Sequence, residues 1–273
     1  MRAKIPVDHP RAASLHTREQ IIRHWKRGVV ADSGLIAQGR GEAFDYLLGE
    51  RTIPPALEAT RAAAAYLLLA ERPVISVNGN AAALVPEELV RLSAVTGAAL
   101  EVNLFYRSRA RLRAIASVLR KAGATNVLGL EAHRGYGSTI PELSSMRRIV
   151  DPEGIFAADV VLVPLEDGDR VEALRRMGKV TIAVDLNPLS RTSQMATVTI
   201  VDNLVRAIPN LTSMVEGMKA TAPSKLDSLA REYDNEKVLG ASIAFIGERL
   251  ASLSRTGGRS EEASVAGGAG TRG

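Results

Sequence analysis

The sequence lacks cysteine altogether among its 273 residues. This absence excludes disulfide bonds, a thiolate nucleophile and cysteine-bound metal, and it is typical of a reducing compartment. The N-terminal residues show no apolar run of the signal-peptide kind, and the longest apolar stretch, 62–70, is far shorter than the roughly 20 residues that cross a bilayer. We therefore expect a cytoplasmic protein without membrane association.

Aromatic residues are scarce, at 4% of the chain, and the charge is mixed. The 35 basic and 30 acidic residues give a net charge of +5 and a pI near 9.7. A nucleic-acid-binding surface usually combines a basic stripe with exposed aromatic rings, and no such pattern occurs. We therefore expect no nucleic-acid partner, and phosphorylated small molecules are the favoured anions.

Several motifs of common enzyme classes are also missing. The chain has neither a phosphate loop ending in Gly-Lys nor a Gly-x-Gly-x-x-Gly turn after its first predicted strand, and it has no Gly-x-Ser-x-Gly elbow. The 4 histidines show no metal-ligand spacing, so zinc is not expected. What remains is a sheet enzyme that binds a nucleotide through arginines and through polar residues at strand ends.

The pattern of apolar runs predicts an α/β fold with an N-terminal helical segment. One helix ends at Lys26, and another begins at Pro54, where proline suits a first helical turn. From residue 73 onward, short apolar runs alternate with helices, as in βαβ units. The runs are continuously apolar, which indicates strands buried on both faces of a parallel sheet. We predict a Rossmann-like, open, mainly parallel sheet flanked by helices.

A single domain is expected over residues 1–253. It consists of the helical segment 1–72, the core 73–203 and the C-terminal helices 204–253, and a disordered tail rich in Gly and Ser follows at 254–273. The predicted strands are 74–77, 99–102, 126–128, 159–163, 180–184 and 197–201. The predicted C-terminal helices are 202–218 and 224–253.

Polar residues follow several of the predicted strands. Asn78 and Asn80 come directly after the first strand, Asp185 follows the fifth, and Asp202 and Asn203 follow the last. Ligands of open α/β sheets bind beyond the carboxyl ends of the strands. Asn and Asp also form turns and cap helices, so a purely structural role remains an alternative for each.

The segment 185–192, DLNPLSRT, combines groups that suit a nucleotide. A carboxylate such as that of Asp185 can accept hydrogen bonds from ribose hydroxyls, while Arg191 and Thr192 can donate to phosphate oxygens. Arg18 and Arg40 offer further cations. Several arginines must converge, because one charge-assisted hydrogen bond contributes only about 1.5–3 kcal/mol.

The stretch 34–50, GLIAQGRGEAFDYLLGE, places Arg40 between two glycines and ahead of several acids. Glycine gives up side-chain packing, which suggests that another group approaches this backbone closely. A helix that opens near Gly41 would place Glu42 and Asp45 toward its positive end. The stretch is therefore either a binding site or an ordinary loop with a helix cap.

Six ordered blocks of the sequence resemble the archaeal phosphopantothenate synthetases, also called 4-phosphopantoate:β-alanine ligases. The resemblance covers nearly the whole chain except the tail. The blocks are IPVDHPRAASLHTRE (5–19), GLIAQGRGEAFDYLLGE (34–50), PVISVNGNAAAL (73–84), EVNLFYRS (101–108), VDPEGIFAADVVLVPLEDGDR (150–170) and DLNPLSRTSQMATVTIVDN (185–203).

This resemblance implies a homodimer with a Rossmann-like core. It also implies a reaction in which ATP, 4-phosphopantoate and β-alanine give 4'-phosphopantothenate for coenzyme A, with release of AMP and diphosphate. The implied ATP contacts are Arg18, Arg40, Asp185, Leu186, Asn187, Arg191, Thr192, Asp202, Asn203 and Leu204.

An acyl-adenylate route would give these residues separate roles. Arg18 and Arg40 are expected to act in catalysis by holding phosphates together with Mg²⁺, and Asp185 and Asn187 to fix the nucleoside. The remaining expected substrate contacts are Asn78 and Asn80 for phosphopantoate, and Glu42 or Asp45 for either Mg²⁺ or the β-alanine ammonium. A solvated first helical turn is an equal alternative for Glu42 and Asp45, and the ligands of the metal stay unassigned.

The chain departs from the expected family pattern at Gln38, where a histidine is expected. Two other classes of protein stay open as alternatives. One is an NAD(P)-dependent oxidoreductase with Asp185 on the cofactor ribose, although the glycine fingerprint is absent. The other is a non-catalytic nucleotide-binding or nucleic-acid-binding protein, which the high pI suggests.

Overall fold

The computed structural model describes residues 6, 9, 11–131, 137–141 and 143–256. Within these ranges the chain forms a five-stranded parallel sheet with helices on both faces, and a short antiparallel pair of strands. The predicted α/β class, an open and mainly parallel sheet flanked by helices, is confirmed. The predicted tail at 254–273 overlaps the end of the last helix, and residues 257–273 lie outside the described residues.

The order of the strands creates a switch point in the sheet. The strands are β1 (Pro73–Val77), β2 (Ala99–Val102), β3 (Ser138–Thr139), β4 (Ile149–Val150), β5 (Val160–Pro164), β6 (Val180–Val184) and β7 (Val198–Ile200). The large sheet has the order β2-β1-β5-β6-β7 with all neighbours parallel, and β3 pairs with β4. Strand addition changes direction between β1 and β5, and open α/β sheets bind ligands at such a point.

Helices surround the sheet and supply most of the packing surface. They are α1 (Ala12–Trp25), α2 (Asp32–Leu48), α3 (Pro54–Leu69), α4 (Gly79–Leu84), α5 (Pro86–Thr96), α6 (Arg109–Lys121), α7 (Gly168–Arg176), α8 (Arg191–Met195), α9 (Leu204–Met218), α10 (Pro223–Arg231) and α11 (Asn235–Arg255). In the ranges that the structure describes, none of them combines the length and apolar character needed to cross a bilayer.

Two apolar clusters cover the two faces of the sheet. Val161 and Val163 of β5 lie in one cluster with Leu174 of α7, whereas Leu162 between them lies in the other with Ile208 of α9. Every residue of β1 and β5 is buried. Burial on both faces explains why the strands are mostly apolar and do not alternate between apolar and polar residues, as predicted.

Helix α2 begins earlier than the sequence pattern indicates. It starts at Asp32 and ends at Leu48, and the next residue, Gly49, has a φ of 81°, which is typical of a glycine helix cap. The expectation of a helix opening near Gly41 is therefore wrong, because Gly39 and Gly41 lie inside the helix. The interpretation of this stretch as an ordinary loop is wrong for the same reason.

Two further predicted elements also differ. The predicted helix 224–253 is divided into α10 and α11, because Asp234 caps a new helix by accepting a hydrogen bond from the N–H of Lys237. The predicted strand 126–128 is reduced to a single bridge between Leu128 and Glu101.

Gly34 and Gly39 lie in the same helix, but their surroundings differ. A Cβ at Gly34 would lie 2.3 Å from Oδ1 of Asn80 and 2.8 Å from Cγ1 of Val30, whereas nothing in the described chain lies within 4 Å of one at Gly39. We expect Gly34→Ala to lower the free energy of unfolding by about 1–3 kcal/mol through overpacking. Gly39→Ala is expected to raise it by up to about 1 kcal/mol, because alanine favours the helix.

Urea denaturation of the two variants beside the parent chain measures both effects. A Gly34→Ala variant that is as stable as Gly39→Ala would contradict the close packing of α2 against α4.

Candidate active site

Two adjoining cavities lie at the carboxyl ends of the central strands. The first cavity has a volume of about 230 Å³, and its lining includes Gly34, Asn78, Asn80, Tyr106, Arg111 and Arg147. The second cavity has a volume of about 550 Å³, and its lining includes Phe44, Asp185, Leu186, Asn187, Arg191 and Thr192. The structure thus gathers the five candidate residues of the segment 185–192 around one cavity, and the two candidate asparagines around the other.

Four residues line both cavities, namely Ala37, Arg40, Leu165 and Asp167. Within the described residues, the guanidinium of Arg40 has no hydrogen bond or ion pair, so it is available to a ligand. Leu165 has a φ of 53°, a left-handed conformation that is uncommon for a residue with a side chain. We call this shared wall the junction, and its one cation is Arg40.

The segment 185–192 is folded by its own polar groups. Asp185 accepts hydrogen bonds from the N–H of Asn187 at 2.9 Å and from the hydroxyl of Ser190 at 2.5 Å. Ser190 also caps α8 by accepting a hydrogen bond from the N–H of Ser193 at 3.0 Å. The carboxylate of Asp185 is therefore held in a fixed position at the wall of the second cavity.

Burial raises the pKa of Asp185 above its ordinary value. The hydrogen bonds from Ser190 and Asn187 and the positive charge of Arg40 act in the opposite direction. Polar groups in such a poorly solvated place form stronger hydrogen bonds than they do in water. This environment suits recognition of a hydroxyl-bearing ligand.

Arg191 and Thr192 lie at the start of α8, on the rim of the second cavity. Arg191 forms an ion pair with Glu172, and its side chain is 63% exposed. Exposed ion pairs contribute little, so the guanidinium can exchange this partner for a phosphate at small cost. The hydroxyl of Thr192 donates to the carbonyl of Glu166 at 2.7 Å, which ties α8 to the end of β5.

Asn78 and Asn80 hold the walls of the first cavity. The amide of Asn78 donates to the carbonyls of Pro164 and Leu165 at 2.8 and 3.0 Å. The amide of Asn80 donates to the carbonyl of Gly34 at 2.9 Å. The two side chains connect the end of β1 to β5 and to α2, so each has a structural role beside any contact with substrate.

Arg111 and Arg147 also line the first cavity, and no sequence pattern selected them. Arg111 donates to two backbone carbonyls, at 2.6 and 3.2 Å. Arg147 pairs with Glu166, and its Nε lies 3.5 Å from a carboxylate oxygen of Asp167. Together with Arg40 they give the first cavity three arginines, an arrangement that favours a phosphorylated or carboxylated ligand.

The carboxylate of Glu166 is shared between Arg147 and Arg170. Arg170 is fully buried, and it also donates to the hydroxyl of Ser76 at 3.2 Å. Burial lowers the pKa of Arg147 and of Arg170 to about 10, so both stay charged at neutral pH. This buried network fixes Arg147 in the wall of the first cavity.

Arg18 and Glu42 pair with each other and line neither of the two cavities. Nε and Nη2 of Arg18 donate to the two carboxylate oxygens of Glu42 at 2.9 and 2.7 Å. Arg11 and Tyr46 contact the same carboxylate. The hydrogen bond from Arg18 lowers the pKa of Glu42, and burial partly opposes this effect. Glu42 is thus already neutralised by neighbouring groups.

A buried network joins α2 to the start of α9. Asp45 accepts hydrogen bonds from Arg206 at 2.6 Å and from the amide of Asn203 at 2.7 Å. Asp202 accepts from the hydroxyl of Thr52 at 2.6 Å and from Nε of Arg206 at 2.8 Å. Burial raises the pKa of Asp202, and the charge of Arg206 opposes this shift. Asp45, Asp202 and Asn203 line neither of the two cavities.

Leu204 and Gln38 also lie away from the cavity linings. Leu204 is buried at the start of α9, where it belongs to the larger apolar cluster. Gln38 is half-buried in α2 and lines neither of the two cavities.

The described residues contain no group of three acidic, histidine or cysteine side chains that could hold a metal ion. Mg²⁺ in nucleotide enzymes is bound mainly by substrate phosphates and water, with only one or two carboxylates from the protein. Asp185 supplies such a carboxylate in the second cavity. The lining therefore fits an ion that arrives with a nucleotide and does not fit an all-protein metal cage.

An open parallel sheet with two arginine-lined cavities at the carboxyl ends of its strands is an arrangement in which α/β proteins bind phosphorylated ligands. The family model described as phosphopantothenate/pantothenate synthetase matches residues 55–249. The chain belongs to this family, as the six sequence blocks indicated.

Curated relatives agree with this assignment. A 4-phosphopantoate–β-alanine ligase of Thermococcus onnurineus is 53% identical over 93% of this chain and 96% of its own length. The enzyme of the same name from Thermococcus kodakarensis is 53% identical over 93% of this chain and 96% of its own. That of Methanosarcina mazei is 52% identical over 91% of this chain and 96% of its own. These names favour a ligase over the oxidoreductase and the non-catalytic alternatives.

Proposed function

We propose that the chain is an ATP-dependent ligase that condenses (R)-4-phosphopantoate with β-alanine. The products are 4'-phosphopantothenate for coenzyme A biosynthesis, AMP and diphosphate. The observation that carries this proposal is the position of Arg40 between two cavities, one lined by the segment 185–192 and one lined by three arginines. The names of the family and of the relatives support the same reaction.

We propose that ATP occupies the second cavity. Asp185 and Asn187 bind the nucleoside, and Arg191 and Thr192 contact phosphate oxygens at the rim. The triphosphate extends toward Arg40 at the junction. When bound with ATP, Mg²⁺ neutralises charge on the phosphates.

Phosphopantoate occupies the first cavity in this proposal. Its phosphate lies near Arg111 and Arg147, and its carboxylate points to Arg40 at the junction. The carboxylate attacks the α-phosphorus of ATP, diphosphate leaves, and an acyl-adenylate forms without a protein nucleophile. Alignment of the two substrates supplies most of the rate, and the guanidinium of Arg40 stabilises the charge that develops on phosphorus.

The roles of the remaining candidate residues stay predictions. A phosphate contact of Arg18 requires that its ion pair with Glu42 opens or is shared. We also propose a homodimer that covers the exposed apolar side chains of Ile22, Trp25 and Ile36 on α1 and α2. The cytoplasmic location is likewise proposed.

Product analysis tests the proposed reaction. The purified chain is incubated with ATP, Mg²⁺, 4-phosphopantoate and labelled β-alanine. We expect labelled 4'-phosphopantothenate, AMP and diphosphate in equal amounts, and no turnover when pantoate replaces phosphopantoate. ADP and orthophosphate as products would overturn the adenylate route.

A further inference from the structure

β-Alanine still lacks a binding group in the proposed arrangement of substrates. Its amine must reach the acyl carbon of the adenylate, which lies where the two cavities meet. Glu42 is neutralised by Arg18, and Asp45 is bonded to Arg206 and Asn203. Neither of these two carboxylates lines either of the two cavities, which leaves the acidic groups of the cavity linings as candidates for the ammonium.

The structure assigns this role to Asp167, and the assignment rests on the proposed placement of ATP and phosphopantoate. Among the described residues, three carboxylates line the cavities: Glu166 and Asp185 line the second only, and Asp167 lines both. Glu166 is shared between two buried arginines, and Asp185 accepts two short hydrogen bonds from its own segment.

Asp167 is more exposed than these two acids and has fewer polar partners. Its side chain is 48% exposed, and its ion-pair partner is the Nε of Arg147 at 3.5 Å. Asp167 is also the N-cap residue of α7, yet its side chain makes no capping hydrogen bond. Aspartate at this position usually accepts one from the first turn of the helix. The carboxylate of Asp167 is therefore available to a ligand at the junction.

This placement provides a complete amide-forming step. The ammonium of β-alanine pairs with Asp167, which takes one proton and passes it to water. The nitrogen lone pair then forms a bond to the acyl carbon, and the bond from that carbon to the phosphate oxygen breaks. Its electron pair leaves with AMP, and the second proton leaves the nitrogen to water. Asp167 thus binds β-alanine and relays a proton, while Arg40 faces the phosphate side of the junction.

The test compares Asp167→Asn with the parent chain in three assays. We expect the variant to lose about 10- to 100-fold in kcat/KM for β-alanine, the factor expected for one charge-assisted hydrogen bond. The adenylation half-reaction, measured as phosphopantoate-dependent exchange of labelled diphosphate into ATP, should stay within about threefold. Hydroxylamine, an uncharged nucleophile at neutral pH, should trap the adenylate equally well in both proteins.

Two further variants sharpen this test. Asp169→Asn removes the same charge from an exposed position in the first turn of α7 that lines neither cavity, and it should leave all three assays unchanged. Asp167→Glu keeps the charge and should recover part of the kcat/KM for β-alanine. Matching melting temperatures show that the variants are folded.

Three results would overturn the inference. An unchanged kcat/KM for β-alanine in Asp167→Asn would remove Asp167 from the amine site. An equal loss of diphosphate exchange would instead place Asp167 in adenylation, for example on Mg²⁺. Absence of diphosphate exchange in the parent chain would show that no acyl-adenylate forms. The proposed reaction route and this inference would then fail together, which distinguishes this result from the other two.

Discussion

Arg40→Ala is expected to lower kcat/KM by about 10³-fold with respect to ATP and also with respect to 4-phosphopantoate. Arg40 lines both cavities and carries the one cation of the junction. Loss of one preorganised group that stabilises transition-state charge typically lowers turnover by about 10²–10³-fold, and here the same group also binds both substrates. Steady-state kinetics with each substrate varied in turn, together with diphosphate exchange, measures the effect.

Companion variants separate this role from a general loss of positive charge. Arg23→Ala removes an exposed arginine of α1 that lines neither cavity and should change neither parameter. Arg40→Lys keeps the charge without the planar fork and should recover only some of the activity. Asn187→Ala should weaken ATP binding alone, because Asn187 lines the second cavity alone. If Arg40→Ala lowered kcat/KM for only one of the two substrates, Arg40 would act on the ligand of one cavity alone.

The fold was largely predictable from local patterns of apolar residues. The segments 99–102 and 180–184 were predicted with the bounds that the structure has, because short, mostly apolar runs without alternation identify strands buried on both faces. The path of α2 through Gly39 and Gly41 was not predictable, because glycine weakens a helix in isolation. Contacts of α2 with α1, α4 and α11 compensate for this weakness.

Prediction of the site depended on how far its residues lie from strand ends. Asp185 and Asn78 directly follow buried strands, and the rule for α/β sheets selects them. Arg147 lies in a 3-10 turn before β4, and Arg111 lies within α6, so no local pattern marks either residue. Asp167 was overlooked because the sequence does not show that two cavities share its side chain. These positions depend on tertiary contacts between distant segments.

Glu166→Ala is expected to lower the free energy of unfolding by about 3–5 kcal/mol. Glu166 neutralises Arg147 and Arg170, and the exposed fractions of these two arginine side chains are 9% and 0%. Removal of one member of a buried ion network leaves the remaining charges without compensation, which carries a penalty of about this size. Chemical denaturation at neutral pH measures the loss.

Glu172→Ala supplies the matched control for this stability prediction. Glu172 is also shared by two arginines, Arg176 and Arg191, whose side chains are 60% and 63% exposed. Water solvates these charges after the substitution, so the expected loss is much smaller than that for Glu166→Ala. Equal losses in the two variants would show that burial does not set the strength of these networks. A small loss for Glu166→Ala would mean that water reaches and solvates Arg147 and Arg170 after the substitution.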